Sequence, residues 1–211
     1  MNENRPVADV VPALQVLAAL GCVVVIAFGY LVAGLCLLAV LAVAWPPAVP
    51  WRPAAAVRVL CVYVPFAVVW LAFVALYLNV MHRLRHPVPV QPQLAEIAAN
   101  GLSTPNLPML VLGIVVVAPL AEEILFRGYL FTALQRVLPP WATQLATAAL
   151  FGLAHSLPYA LPIAVLALLF GWLRARYRSL LPCVIAHTVH NGLTVALTMS
   201  WPEHLDVLYP K

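Results

Sequence analysis

Glu122, Glu123 and Arg127 interrupt a stretch, APLAEEILFRGYL (118–130), that is otherwise as apolar as a lipid tail. A charged side chain at the centre of a spanning helix costs about 2.5–3.5 kcal/mol on insertion scales, so such residues face a bundle interior and need partners there. On a helix Glu123 and Arg127 are four apart on one face, acid before base, the favourable order for an ion pair. Glu122 points about 100° away. The spacing gives Glu123 a partner within its own helix and leaves Glu122 free for other work, general-base chemistry included. On this motif alone, a purely structural pairing of both glutamates with arginine stays open.

Two further polar insertions follow, FGLAH (151–155) and HTVHN (187–191). Phe151 and His155 are one helical turn apart and share a face, as do His187 and Asn191, with His190 close by. A lone membrane histidine is more often an interhelical hydrogen-bond partner than a catalyst. Three apolar segments that deliver a carboxylate, an imidazole, and an imidazole with an amide form a more demanding set. Peptide-bond hydrolysis by an activated water needs that set: a base, a group to orient the water, and donors for the tetrahedral oxyanion. Glu122, His155 and His187 are also a plausible ligand trio for zinc with an open fourth position. The HExxH helix of zinc proteases is missing, however, so neither metal nor other cofactor is expected. A proton or ion pathway would need polar residues strung across the membrane, and here they are confined to one cluster.

The elements that must carry these side chains follow from composition. The chain has 211 residues, 64% hydrophobic and 9% charged, with a mean hydropathy of +0.99, more apolar surface than a soluble globule can hide. Continuous apolar runs, rather than alternating segments of about ten residues, exclude a β-barrel. The expected fold is all-α, a polytopic transmembrane bundle of about seven spans (six to eight) with the active site inside it. Residues 10–45 are too long for one crossing and read as two helices turning near Gly29. A proline-rich loop (45–53) with interfacial Trp45 and Trp51 precedes a span at 54–81, in which Pro65 can kink the helix. The polar segment 82–108 reads as a loop with a short surface helix over 94–100. Spans at 109–137, 141–156, 159–175 and 180–200 complete the count, with Pro119 and Gly128 permitting a bend in the first of these. By function the chain divides into N-terminal helices and polar loop (1–107), a motif-bearing core (108–200) and a short tail (201–211).

The net charge of +4 comes from scattered arginines that suit topology better than nucleic-acid binding. With seven spans, Arg5, Arg52, Arg58, Arg136, Arg174, Arg176 and Arg178 fall on one side and Arg83, Arg85 and Lys211 on the other, which places the N-terminus in the cytoplasm. The N-terminal run is far longer than a signal-peptide core and is expected to be retained. Cys22, Cys36, Cys61 and Cys183 form no CxxC pattern and read as small buried or lipid-facing side chains. Expected partners are membrane lipids and a protein or peptide substrate in or near the bilayer.

In order and spacing, EEILFR, FGLAH and HTVHN resemble the EExxxR, FxxxH and HxxxN motifs of the CAAX protease and bacteriocin-processing family, the glutamic intramembrane proteases. The resemblance covers about residues 108–200. It implies that Glu122 activates water with help from His155, that His187 and Asn191 stabilise the oxyanion, and that Glu123 and Arg127 support them. His190 lies outside the pattern. The family includes immunity-like members, so a non-catalytic immunity or processing-partner protein is the alternative reading; the intact glutamate and both histidines favour an enzyme. A prenylated CaaX protein is the namesake substrate. Usage rich in Ala, Pro and Arg with a single lysine instead points to a bacterial inner membrane, where maturation of a peptide or of a membrane-anchored tail fits better.

Overall fold

The computed structural model describes residues 17–18, 21, 31–44, 46–47, 49–52 and 58–209. Its helices are α1 (Leu31–Ala44), α2 (Val59–Arg83), α3 (Pro92–Asn100), α4 (Leu107–Leu134), α5 (Pro140–Leu153), α6 (Leu157–Tyr177), α7 (Leu181–Ser200) and α8 (His204–Leu208). No strand occurs among the described residues. The protein is an all-α membrane bundle. α2, α4 and α6 are each long and apolar enough to cross a bilayer by themselves. Of the first of the two expected N-terminal helices only residues 17–18 and 21 are described, all helical, and its turn near Gly29 lies outside the described residues; α1 corresponds to the second. With α5 and α7 added, the pattern accords with about seven spans.

A bilayer offers helices no hydrophobic reason to associate, so packing and internal polar contacts must do that work. Accordingly α2 turns Val64, Val68, Val69 and Leu76 outward, while Val59 and Tyr63 pack with Phe170, Leu173 and Ala186 of α6 and α7. A second core joins Leu38 and Leu41 of α1 to Phe126 and Leu130 of α4, Phe151 of α5 and Ala167 of α6. The expected surface helix is α3, begun two residues early by Pro92, which needs no N–H partner at a helix start. It is amphipathic and buries Leu94 and Ile97 against Val195 of α7 and the first turns of α4.

Two boundaries depart from expectation in ways that shape the site. α4 stops at Leu134, because the Val137 and Leu138 amides fold back onto the Leu134 carbonyl and Pro139–Pro140 cannot prolong a helix. α5 stops at Leu153 rather than 156: a turn leads into Ser156 at φ 75°, and Pro158 starts α6. His155 is therefore held in the α5–α6 turn, not inside a helix. The hairpin is tight because Gly152 faces the backbone of Ala160, where a Cβ would collide. Farther along it, Gln144 of α5 donates to the Leu168 carbonyl of α6 at 2.5 Å, filling the space beside Gly171.

Both ends of the bundle expose arginines, with Arg83 and Arg85 at the end where α2 stops. At one end Arg58, Arg136, Arg176 and Arg178 are exposed, and the Arg52 amide bonds Ser179 Oγ at 3.0 Å. At the other end, Tyr77 and Tyr159 tie the start of α6 to α2 and to the segment after it, through bonds to the carbonyls of Pro158 and Pro89. Cys36 and Cys61 are exposed on the helices and Cys183 is buried; Cys22 lies outside the described residues.

Candidate active site

Glu122 and Glu123 close a short α-helical section of α4 (Ala118–Glu123) bracketed by two π-helical stretches, Gly113–Val117 and Ile124–Leu130. Pro119 lacks an N–H and cannot serve a regular α-helix around it. The expected bend near Pro119 and Gly128 is thus taken up as a local widening of the helix.

Glu123 and Arg127 are completely buried and paired: Arg127 Nη1 donates to Glu123 Oε1 at 3.0 Å. Arg127 Nη2 donates to the Ala167 carbonyl of α6 at 3.0 Å. The guanidinium lies over the rings of Phe151 and Phe170, 4.5 and 5.2 Å from their centroids, a favourable setting for a desolvated cation. The second bond to Glu123 comes from α7. His187 Nδ1 lies 2.9 Å from the same oxygen, and since a carboxylate only accepts, Nδ1 carries the proton and donates. Phe170 stacks on the His187 ring at 4.7 Å.

That hydrogen bond turns His187 Nε2 toward Glu122 Oε2, 3.8 Å away. His155 faces the same oxygen from the other side, its Nε2 at 3.6 Å. The His155 ring is fixed by Nδ1, which donates to the Phe151 carbonyl at 2.8 Å, so Phe151 and His155 keep their one-turn relation although the helix has ended. Both Nε2 distances are too long for a direct hydrogen bond, yet one water oxygen can reach Glu122 and His155 together. Glu122 and His155 keep 27% and 29% of their side-chain surface exposed, against 5% for His187.

Among the described residues, the buried side-chain polar atoms without a hydrogen-bond partner are Glu122 Oε2, Glu123 Oε2 and Arg127 Nε. All belong to EEILFR. Native proteins leave few such groups, so a cluster of them calls for partners that the surrounding side chains do not supply. The arrangement can place a base and an imidazole on one water, with a second imidazole across the same oxygen.

The sequence-derived residues do not all share this focus. Glu122, Glu123, Arg127, His155 and His187 are linked in one cluster. Asn191, one turn beyond His187, donates from Nδ2 to the Ile114 carbonyl of α4 at 2.8 Å. One amide N–H is thereby committed and the other is left to give. His190 points elsewhere: Nδ1 meets the Tyr63 hydroxyl of α2 at 3.0 Å, and Trp70 stands edge-on at 4.6 Å. Sequence reasoning had no means to find the Ala167 carbonyl or the Phe170 ring, which nothing in the residue pattern distinguishes from packing.

Among the described residues no group of three or more His, Cys, Asp or Glu is arranged to hold a metal ion. Residues 104–193 match the family model described as type II CAAX prenyl endopeptidase Rce1-like. The match runs from just before α4 past Asn191 and holds all three motifs. No curated protein and no solved structure matches the chain.

Proposed function

We propose that the chain, whose residues 104–193 match the Rce1-like type II CAAX prenyl endopeptidase family, a protease family, is a metal-independent glutamic protease that hydrolyses a peptide bond inside the membrane. The observation that carries this reading is the convergence of the His155 and His187 Nε2 atoms on the unpartnered Oε2 of Glu122.

In the proposed reaction a water lies between Glu122 Oε2 and His155 Nε2. Glu122 takes one of its protons as the oxygen attacks the scissile carbonyl carbon. With Nδ1 protonated, neutral His155 offers Nε2 as an acceptor for the water's second hydrogen and so fixes its orientation. The carbonyl oxygen becomes an oxyanion, and His187 Nε2 and the uncommitted Asn191 N–H donate to it. His187 can donate from Nε2 only when its ring carries both protons; Glu123, behind Nδ1, supplies the negative charge such a ring needs. Collapse of the intermediate breaks the C–N bond, and the proton held by Glu122 passes to the leaving amine. Arg127, 3.0 Å from Glu123 Oε1, holds that carboxylate in place.

The proposed substrate is a peptide or the tail of a membrane-anchored protein, in a bacterial inner membrane with the N-terminus and the arginine-rich end cytoplasmic. Comparative proteomics of membranes holding the native protein or Glu122→Gln tests the reading. Precursor termini should accumulate with the variant; indistinguishable termini at equal abundance would overturn the assignment. Metal analysis of the purified, active protein separates the zinc alternative, which predicts one bound zinc per chain and loss of cleavage on chelation.

A further inference from the structure

We infer that Arg174 of α6 is a positioning residue of this site, acting by capping the carbonyl that the second π-helical stretch of α4 sets free. The inference rests on the proteolytic reading of Glu122.

The backbone bookkeeping of α4 points to it. At the end of each π-helical stretch an N–H reaches five residues back: Ala118 to the Gly113 carbonyl and Phe131 to the Phe126 carbonyl. An α-helix would have sent those donors to Ile114 and Arg127. Two carbonyls inside a membrane bundle thus lose their usual donors, and an unsatisfied carbonyl there is costly. Each is met by a side chain from another helix. Asn191 Nδ2 of α7 bonds Ile114 O at 2.8 Å, and Arg174 Nε of α6 bonds Arg127 O at 3.1 Å. One interhelical staple thus stands on each side of the section that presents Glu122 and Glu123.

The behaviour of Arg174 is not that of a topological charge. It lies in the last turn of α6, as does Arg176, with Arg178 just beyond, and both of those are exposed. A long side chain near a helix end ordinarily snorkels to water in that way. Arg174 instead turns inward and is buried, and among the described residues no carboxylate forms an ion pair with it. Its remaining contacts lie on the same turn of α4: Nη2 donates to Thr132 Oγ1 at 3.2 Å, and the guanidinium stands 5.6 Å from the Phe131 ring. A buried cation is expensive, and both hydrogen bonds of this one go to residues 127 and 132 of α4.

The consequence for the site is one of register. If the stretch relaxed to an α-helix, Phe131 N–H would bond the Arg127 carbonyl. One flank of α4 would then rotate by about 100° against the other, carrying the glutamates away from His155 and His187.

The test uses the full-length protein in membranes. Arg174→Lys keeps the charge and one donor, Arg174→Leu keeps neither, and Thr132→Val removes the second anchor. Cleavage is read as disappearance of the precursor termini that Glu122→Gln defines, per unit of folded protein. Misplacement of reacting groups by about 1 Å can cost on the order of a hundredfold, so Arg174→Leu should lose about that much. Arg174→Lys should fall between the two, and Thr132→Val should add little to Arg174→Leu. Amide hydrogen exchange gives a readout that needs no substrate: exchange over 124–132 should accelerate about tenfold in Arg174→Leu, the loss of about one hydrogen bond, with the rest of the bundle unchanged. Native cleavage by Arg174→Leu, Arg174→Lys equal to the native protein, or faster exchange spread over all helices would each overturn the inference. Failure of Glu122→Gln to accumulate precursors would instead remove the proteolytic reading and leave the exchange result to decide whether Arg174 holds the turn.

Discussion

Glu122 and Glu123 are adjacent in the chain, identical in type and carried by the same turn of α4, yet they face opposite flanks of the polar cluster. On the closed flank Glu123 is fully buried and receives Arg127 and His187 on a single oxygen. On the open flank Glu122 keeps about a quarter of its surface exposed and holds an unpartnered oxygen between two imidazoles. A carboxylate that receives two donors on one oxygen is held in place, although its Oε2, like that of Glu122, has no partner among the described residues. One without donors, facing rings that can trade protons, can react. The 100° between neighbouring helix positions is enough to create both environments.

The sharpest way to break this contrast is to make the same isosteric change at both positions. Glu122→Gln keeps shape and removes the proton acceptor, so turnover should fall by about ten-thousandfold, the upper end for general-base catalysis, with abundance and melting temperature unchanged. Glu123→Gln should destabilise the protein, because the buried Arg127 loses its counter-charge. If the two variants behave alike in single-turnover cleavage and thermal melting, the division between flanks is wrong.

Arg127→Ala probes the closed flank from its other partner. Breaking a buried pair by removing one member typically costs about 3–5 kcal/mol, since the remaining charge is stranded. The variant should melt at a clearly lower temperature in detergent and accumulate poorly, with cleavage lost in proportion. A variant as stable as the parent would show that the pair holds nothing together.

The contrast was partly legible in the sequence. The i to i+4 relation of Glu123 and Arg127 names the pair on any helix, and the leftover Glu122 follows by elimination. His155 was legible as a residue one turn after Phe151, although the turn that holds it was not: Ser156 at positive φ gives no warning that α5 ends at Leu153. The π-helical stretches were illegible. Pro119, Gly113 and Gly128 hint at irregularity, but only coordinates show which carbonyls are released and which side chains take them. Arg174 reads in sequence as one of three arginines on a loop edge. Its burial depends on contacts from α4 that are about forty residues away in the chain.

Asn191 lies between the two flanks in role, since one amide N–H anchors α4 at Ile114 and the other serves the proposed oxyanion. Loss of one oxyanion donor typically costs about a hundred- to a thousandfold in turnover, so Asn191→Ala should retain measurable cleavage where Glu122→Gln does not. His155→Ala should fall lower than Asn191→Ala, and adding it to Glu122→Gln should change almost nothing, because residues acting on one water are not additive. Single-turnover cleavage of a reconstituted precursor decides. An Asn191→Ala protein as inactive as Glu122→Gln, or fully additive losses in the double variant, would overturn this allocation.

The smallest expected effect lies just outside the cluster and marks its edge. His190 is three residues from His187 on α7, close enough in sequence to suggest a shared task, but its ring is turned to α2. There Tyr63 is almost entirely buried, its hydroxyl holds His190 Nδ1, and Trp70 in turn donates from Nε1 to the Pro162 carbonyl of α6 at 3.0 Å. These contacts join three helices and reach none of the atoms around Glu122, so they read as interhelical fastening of the kind membrane bundles use. Tyr63→Phe removes one hydroxyl from a packed site and leaves a buried ring nitrogen without its partner, a loss of about 1–2 kcal/mol. The melting temperature should drop slightly while single-turnover cleavage per folded molecule stays at the native value. If Tyr63→Phe instead lowers cleavage tenfold or more at unchanged stability, His190 belongs to the reacting cluster, and the open flank extends across α7 to α2.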